Sequence, residues 1–245
     1  MAVAGQPGSN EVPRPDISVL MCVHNGANYV VEAIESTLAQ ADVDFEFVVV
    51  NDGSTDETME LLDRYRAEIT VVDHPANDGI GTGRNLGVEH SRGRHLVFSD
   101  HDDLLPPGSL AARRDPFDAE PGLDMVVGAV DEFVPDELRD KLRAEGVRPR
   151  QGIAGSLTSI MVRREAFERV GPFEPLRNSS CMNWMMRAKT AGISVHRTDQ
   201  VVYRRRLHET NSSRQHAVDQ RSRLEAVRRA RAERDAAGSA DSSLG

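Results

Sequence analysis

The feature that most limits the fold is a series of short apolar runs, each followed at once by polar residues, with helical periodicity in between. Ile17 to Val23 stops at His24-Asn25-Gly26, Phe45 to Val50 stops at Asn51-Asp52-Gly53, and His95 to Phe98 runs through Ser99 into Asp100-His101-Asp102-Asp103. Ile69 to Val72 is a further run of the same kind. Apolar runs this short, bounded by turn residues, fit strands buried on both faces. Between them, Tyr29 to Gln40 sets Val30, Ala33, Ile34 and Leu38 on one helical face. A second helix is expected to start behind Thr55 as its cap and to run to about Arg66. The turn Asn77-Asp78-Gly79-Ile80-Gly81 opens a third, reaching about Ser91. Strands that alternate with helices predict an α/β layer around a parallel sheet. Ligands of such sheets gather beyond the carboxyl ends of the strands. The polar sets at His24-Asn25, Asn51-Asp52 and Asp100 to Asp103 are therefore expected to converge on one crevice.

The second half is less regular. Asp124 to Val130 reads as a strand ending at Asp131-Glu132, Pro135 to Ala144 as a charged helix, and Ser159 to Val162 as a short strand with a helix from Arg164. Ser180 to Ala191 reads as a helix that contains Trp184, and Ser194 to Val202 as one or two short strands. Residues 1–15, rich in Gly, Pro, Ser and Asn, are expected to be a disordered arm. A domain over 16–215 follows, and 216–245 is expected to form a helix and a frayed tail. That last helix has no consistent apolar face, which fits a solvated helix or one docked on a second subunit of a homodimer.

Composition narrows the partners. The net charge of −9 disfavours a nucleic-acid groove, which needs clustered Lys and Arg. Two cysteines, Cys22 and Cys181, make no disulfide framework and point to a reducing, cytoplasmic setting. The first residues lack the basic start and apolar stretch of a signal peptide. No apolar run approaches the ~20 residues that span a bilayer.

Three carboxylates within the four residues Asp100 to Asp103 repel one another unless a cation lies among them. Their oxygens suit Mg²⁺ or Mn²⁺, which are held by a few carboxylates together with substrate phosphates. Taken alone, the cluster fits a cation site or a solvated turn. Asp52 alone fits a turn or cap, and Arg84 fits either a nucleotide contact or a surface helix position. The stretch from Gly79 to Gly87 is not a dinucleotide fingerprint: Leu86 stands where the third Gly should be, and the turn follows the third strand.

Taken together, Ile17–Asn25, Tyr29–Gln40, Val48–Asp56, Gly79–Gly87 and Val97–Asp103 occur in the order seen in family 2 glycosyltransferases, which the stretch 17–110 resembles closely. Ile160 to Phe167, Val170-Gly171-Pro172-Phe173, Arg187-Ala188 and Gly192 also look similar. Arg204-Arg205-Arg206-Leu207-His208, with Asn211, resembles the closing segment of a bacterial subgroup. The resemblance implies a GT-A fold: a Rossmann-like, mostly parallel sheet flanked by helices, with an irregular acceptor-side second half. It also implies inverting, metal-dependent transfer from a nucleoside-diphosphate sugar to a saccharide or small-molecule acceptor. By that resemblance Cys22, His24, Asp52 and Arg84 hold the nucleobase, with Asp100 nearer the ribose and His101 among the donor-binding residues. Asp102 binds the divalent metal, Mn²⁺ or Mg²⁺, and His208 completes its shell or contacts the diphosphate. Arg204 to Arg206 neutralise phosphate.

The sequence departs from the family at the catalytic base, usually an acidic residue at the start of the helix that carries the late Trp and Arg. Asn178 to Arg187 contains no carboxylate; Ser180, Cys181 and Asn183 stand in those places. Asp131 or Glu132 is one replacement base. An acceptor that needs little deprotonation is a second solution, and a protein that binds a nucleotide sugar without transferring it is a third. A sugar-1-phosphate nucleotidyltransferase is disfavoured, because His24-Asn25-Gly26-Ala27-Asn28 lacks the Gly-rich basic loop of that class.

Overall fold

A computed structural model describes residues 14–41, 43–152, 156–176, 179–209 and 211. Most of the expected arm, and all of the expected C-terminal helix and tail over 216–245, lie outside the described residues. The last two arm residues are tied down: Arg14 Nε donates to Arg92 O at 2.6 Å, and Pro15 O accepts from Arg94 N at 3.2 Å. The chain divides into two compact units, Met1–Phe133 with Pro149–Arg206, and Val134–Arg148 with Leu207–Gly245.

In the first unit the strands are β1 (Ile17–Val23), β2 (Phe45–Asp52), β3 (Thr70–His74), β4 (His95–Asp100), β5 (Met125–Phe133), β6 (Ile160–Arg163) and β7 (Val195–Arg206). They form one sheet in the order β3-β2-β1-β4-β6-β5-β7. β6 runs antiparallel to both β4 and β5; every other pair is parallel. All seven residues of β1 are buried, as a central parallel strand covered on both faces requires. Side chains alternate across the sheet, so Ile17, Val19, Met21 and Val23 join one core cluster while Leu20 joins the other.

The covering helices of this unit are α1 (Val30–Leu38), α2 (Thr58–Asp63), α3 (Ile80–Glu89), α4 (Ser109–Arg114) and α5 (Pro116–Ala119). The second unit contains α6 (Arg139–Ala144), and α7 (Arg164–Val170) and α8 (Ser180–Thr190) return to the first. α1 buries Val30, Ala33, Ile34 and Thr37, the helical stripe expected from the sequence save that Thr37 is the buried residue near the end. α3 buries Gly81, Gly83, Arg84 and Gly87. A Cβ on Gly83 would overlap Cys22 Sγ, and one on Gly81 would lie 3.0 Å from Ser180 Cβ, so these two glycines allow close approach of α3 to β1 and to α8. Gly79, at φ 90°, makes the turn into the helix.

Three expectations change. Thr55 does not cap α2; Asp56 Oδ1 accepts from Thr58 N at 3.1 Å, and the helix ends at Asp63 rather than Arg66. β5 runs one residue beyond its expected end at Asp131-Glu132, to Phe133, and these carboxylates have partners beside the ladder: Arg150 and Arg205 for Glu132, and the Gly152 amide for Asp131. Likewise β7 is a single strand of 12 residues with register shifts, and Arg204 to Arg206 lie in it opposite Asp131 to Phe133.

In the second unit, Asp136–Leu138 forms a 3-10 turn ahead of α6, whose Leu142 is buried. Lys141 there pairs with Glu209, and Asn211 Oδ1 accepts from His208 N at 2.7 Å.

Candidate active site

The strand exits come level by register: Cys22 lies opposite Val50 of β2 and opposite Asp100 of β4. β1 and β4 are neighbours, while β2 and β3 lead away on the other side of β1. The chain therefore reverses direction across the sheet at the β1–β4 gap, the switch point at which such sheets open a crevice. The three polar sets expected to converge do so here.

On the β2 side, Asp52 is buried (2% exposed) and accepts from Gly79 N at 3.2 Å and Asp78 N at 3.4 Å, at the N-terminus of α3. A carboxylate is favoured there by the unpaired amides of the first helical turn. His24 Nδ1 lies 2.8 Å from Asp52 O, and its Nε2 lies 3.1 Å from Asn77 Nδ2. An amide nitrogen can only donate and a carbonyl only accept, so this network assigns the ring proton to Nδ1. His101 packs onto the same exit loop: a Cβ on Gly26 would lie 2.6 Å from His101 Cδ2.

On the β4 side, Arg84 Nη2 donates to Asp100 Oδ1 at 2.6 Å, and Arg84 Nη1 meets Cys181 Sγ at the start of α8. Arg84 is 3% exposed. Burial works against its charge, but Asp100, followed by the two cysteines, outweighs it and holds the guanidinium above its ordinary pKa. Arg84 Nε and Ser180 Oγ are buried without a protein partner. Cys22 lies beneath α3, where burial first, then Asp52, pushes its thiol up to about 12.

Asp100, Asp102 and Asp103 bring carboxylate oxygens within 4.8 Å of one another. Asp103 is 4% exposed, and burial, then Asp102 and Asp100, raises its carboxyl well above the usual range. An all-oxygen set with crowded negative charge matches a hard divalent cation, whose charge would offset the repulsion. The residues present fit such an ion.

The sequence did not point to what holds this turn. Tyr203, fully buried, accepts from Asp100 N at 2.8 Å through its hydroxyl. Asp103 Oδ1 accepts from Arg206 N at 2.7 Å, and Leu104 and Arg204 exchange both main-chain hydrogen bonds at 2.9 Å. Arg206, expected to neutralise phosphate, sends Nε to Asp102 O at 2.9 Å and Nη2 to Glu32 at 2.6 Å. The available signal was the apolar pair Val202-Tyr203 leading into the arginines.

Glu132, one of the expected replacement bases, is 4% exposed and receives Arg150 N at 3.0 Å, Nε at 3.1 Å and Nη2 at 2.8 Å. Burial raises its carboxyl, but the Arg150 bonds and charge bring it below the ordinary value. A carboxylate so held is a weak proton acceptor. Asp131 Oδ1 accepts from Gly152 N at 3.0 Å. In α8, Asn183 accepts from Arg187 Nε at 2.9 Å, while Trp184 stacks on Phe167 at 5.4 Å. His208 belongs to the second unit, and only the sequence resemblance carries its role as a ligand.

A mostly parallel sheet flanked by helices, with an acidic turn at its switch point, defines the GT-A class of fold. Within that class the chain belongs to glycosyl transferase family 2, whose sequence profile matches residues 18–190. An uncharacterized glycosyltransferase of Rickettsia prowazekii is 38% identical over 96 residues, 39% of this chain and 30% of that protein. One from Nostoc sp. is 28% identical over 182 residues, 66% of this chain and 55% of that protein. The chain thus spans about a third of the Rickettsia relative and about half of the Nostoc one. Among solved structures, S. aureus TarS 1-349 in complex with UDP-GlcNAc superposes with a TM-score of 0.66 at 20% identity, covering 80% of this chain and 60% of that chain. The same fragment in complex with UDP gives 0.64 over 78% and 60%. Among the described residues, no helix is long and apolar enough to cross a membrane.

Proposed function

We propose that the protein transfers a sugar from a nucleoside-diphosphate sugar to an acceptor hydroxyl, with inversion and with Mn²⁺ or Mg²⁺ bound at the acidic turn. The observation that carries this is the grouping of Asp100, Asp102 and Asp103 within 4.8 Å, beside the Arg84–Asp100 pair at the switch point. The UDP and UDP-GlcNAc complexes of TarS support a nucleotide sugar as donor.

In this reading His24, Asp52 and Arg84 shape the nucleobase end, and Asp100 and His101 lie at the ribose. Asp102 and its neighbours hold the cation, which when bound stabilises the negative charge that grows on the leaving diphosphate. Arg84 holds the Asp100 side chain in place while that charge develops, so little reorganisation is left for the reaction. Glu132 is a poor base by its ion pair, and the start of α8 holds Cys181 in place of a carboxylate. An acceptor that ionises readily, or Asp131, is the remaining route for the proton.

A thermal-shift screen of nucleoside diphosphates with and without Mn²⁺ tests the reading. At least one nucleotide should raise Tm, the rise should depend on Mn²⁺, and Asp102→Ala should abolish that dependence. If no nucleotide shifts Tm and Asp102→Ala changes nothing, the reading is wrong. Nucleotide binding without donor hydrolysis or transfer would mark a protein that binds the donor only.

A further inference from the structure

The closing residues of β7 act as a mould for the acidic turn. Tyr203 holds Asp100 N, Arg204 pairs with Leu104, and Arg206 takes Asp103 by its main-chain amide and Asp102 by its guanidinium. Arg206 also reaches the other wall of the crevice. Its Nη2 donates to Glu32 on α1, and its guanidinium carbon lies 4.7 Å from the Tyr29 ring centroid and 5.0 Å from that of Phe133. The first turn of α1 is itself hung from the β1 exit loop, because Gly26 O accepts from Tyr29 N at 3.0 Å and Val30 N at 2.9 Å.

We infer that Arg206 is a positioning residue that couples the two walls of the donor crevice, the β1 exit loop through α1 and the acidic turn through Asp102. The rigid guanidinium fork is what permits this, since it donates in two directions while it packs against two rings. A lysine has one ammonium and no plane, so it can serve one wall only. The site then acquires a mechanical link: the carboxylates of the cation site keep their spacing only while Glu32 and Tyr29 hold the guanidinium. The inference rests on the proposed cation and donor site, and it gives Arg206 a role other than direct phosphate contact.

Mn²⁺ alone, titrated calorimetrically into the full chain without nucleotide, provides the test, with Tm recorded for every variant. Partners of this kind typically control metal affinity by about 10–100-fold. Arg206→Met is expected to weaken Mn²⁺ binding within that range, and Arg206→Lys by less. Glu32→Gln, at a side chain that is 60% exposed, should shift affinity the same way by a smaller factor. Adding Glu32→Gln to Arg206→Met should cost nothing further, because both remove one link. Unchanged Mn²⁺ affinity in Arg206→Met and Glu32→Gln overturns the inference, as does a loss confined to Arg206→Met. If the wild-type chain binds neither Mn²⁺ nor nucleotide, the functional reading fails on its own. Hydrogen exchange then decides the coupling: faster exchange at Asp103 and Leu104 in Glu32→Gln supports it, and unchanged exchange there overturns it.

Discussion

Arg84 stands between Asp100 and Cys181, its Nη2 2.6 Å from the carboxylate and its Nη1 against the thiol. One buried cation thereby joins the end of β4 to the start of α8. The pair is unequal in environment: Arg84 is 3% exposed, while the Asp100 side chain is 33% exposed. Water screens the carboxylate in part, so the loss on removing its partner is smaller than for a fully enclosed ion pair.

Arg84→Met should therefore lower stability by about 1–3 kcal/mol, the range for a charged hydrogen bond left half-made. Urea denaturation measures this. Arg84→Lys keeps the charge but cannot reach both partners, and it should fall between the two. Both variants should lose nucleotide-dependent thermal shift by more than they lose stability.

Glu132 gives a pH signature. Its carboxyl lies below the ordinary value of 4.5 in the folded protein, with Arg150 overcoming the effect of burial. A lowered folded value means the unfolded chain takes up the proton first. The stability from this ion pair is thus complete above about 4.5 and is lost as pH falls through the lower folded value. Glu132→Gln should lower stability at neutral pH and flatten the acid limb of the stability curve. If Glu132 is only a clamp, transfer per folded molecule should stay within about tenfold of wild type, well short of the 10²–10⁴-fold loss of a general base.

The two thiols should separate under alkylation. Cys22 is buried with its thiol pushed up to about 12, so almost no thiolate forms near neutral pH. Cys181 is half-buried at the start of a helix beside a guanidinium. Iodoacetamide should label Cys181 in the native protein and Cys22 only after unfolding, as read by mass spectrometry of the two peptides. Equal labelling of both in the native state would contradict the packing of α3 on β1.

How far the sequence disclosed all this follows from what each signal encodes. β1, β2 and β4 were legible because a central parallel strand must be apolar on both faces, and their exits at His24, Asp52 and Asp100 followed from the sheet rule alone. The end of β7 was not legible, and that of β5 only to within a residue. Asp131-Glu132 and Arg204-Arg205-Arg206 each look like a polar strand end, and only their mutual pairing turns them into strand. Such charge compensation between segments some 70 residues apart leaves no local pattern. The contacts of Arg206 were not legible for the same reason: the resemblance gave it to phosphate, while Glu32 and Tyr29 reach it from another helix that no local pattern connects to it. The start of α2 was placed too early because Thr55 is a cap type; the cap position is Glu57, and the Asp56 side chain is the one that accepts from Thr58 N.

Gly83 gives the sharpest test of how the crevice floor is built. A Cβ there would overlap Cys22 Sγ and approach Cys22 Cβ to 3.3 Å, with Val50 Cγ1 at 4.0 Å behind. Neither neighbour can retreat, since Cys22 and Val50 lie in central strands and are buried. Gly83→Ala also gains helix propensity, worth up to ~1 kcal/mol for Gly against Ala. Overpacking in a closed site costs about 1–3 kcal/mol, so the clash should win and the variant should be less stable. It should also push α3 outward and with it Arg84, the next residue, weakening nucleotide-dependent stabilisation. Cys22→Ala removes the sulfur that the new methyl meets. The double variant Cys22→Ala/Gly83→Ala should therefore recover most of the stability lost by Gly83→Ala, a coupling that a double-mutant cycle measures directly. Additive losses would mean that the two residues are not in contact and that α3 lies farther from β1 than described.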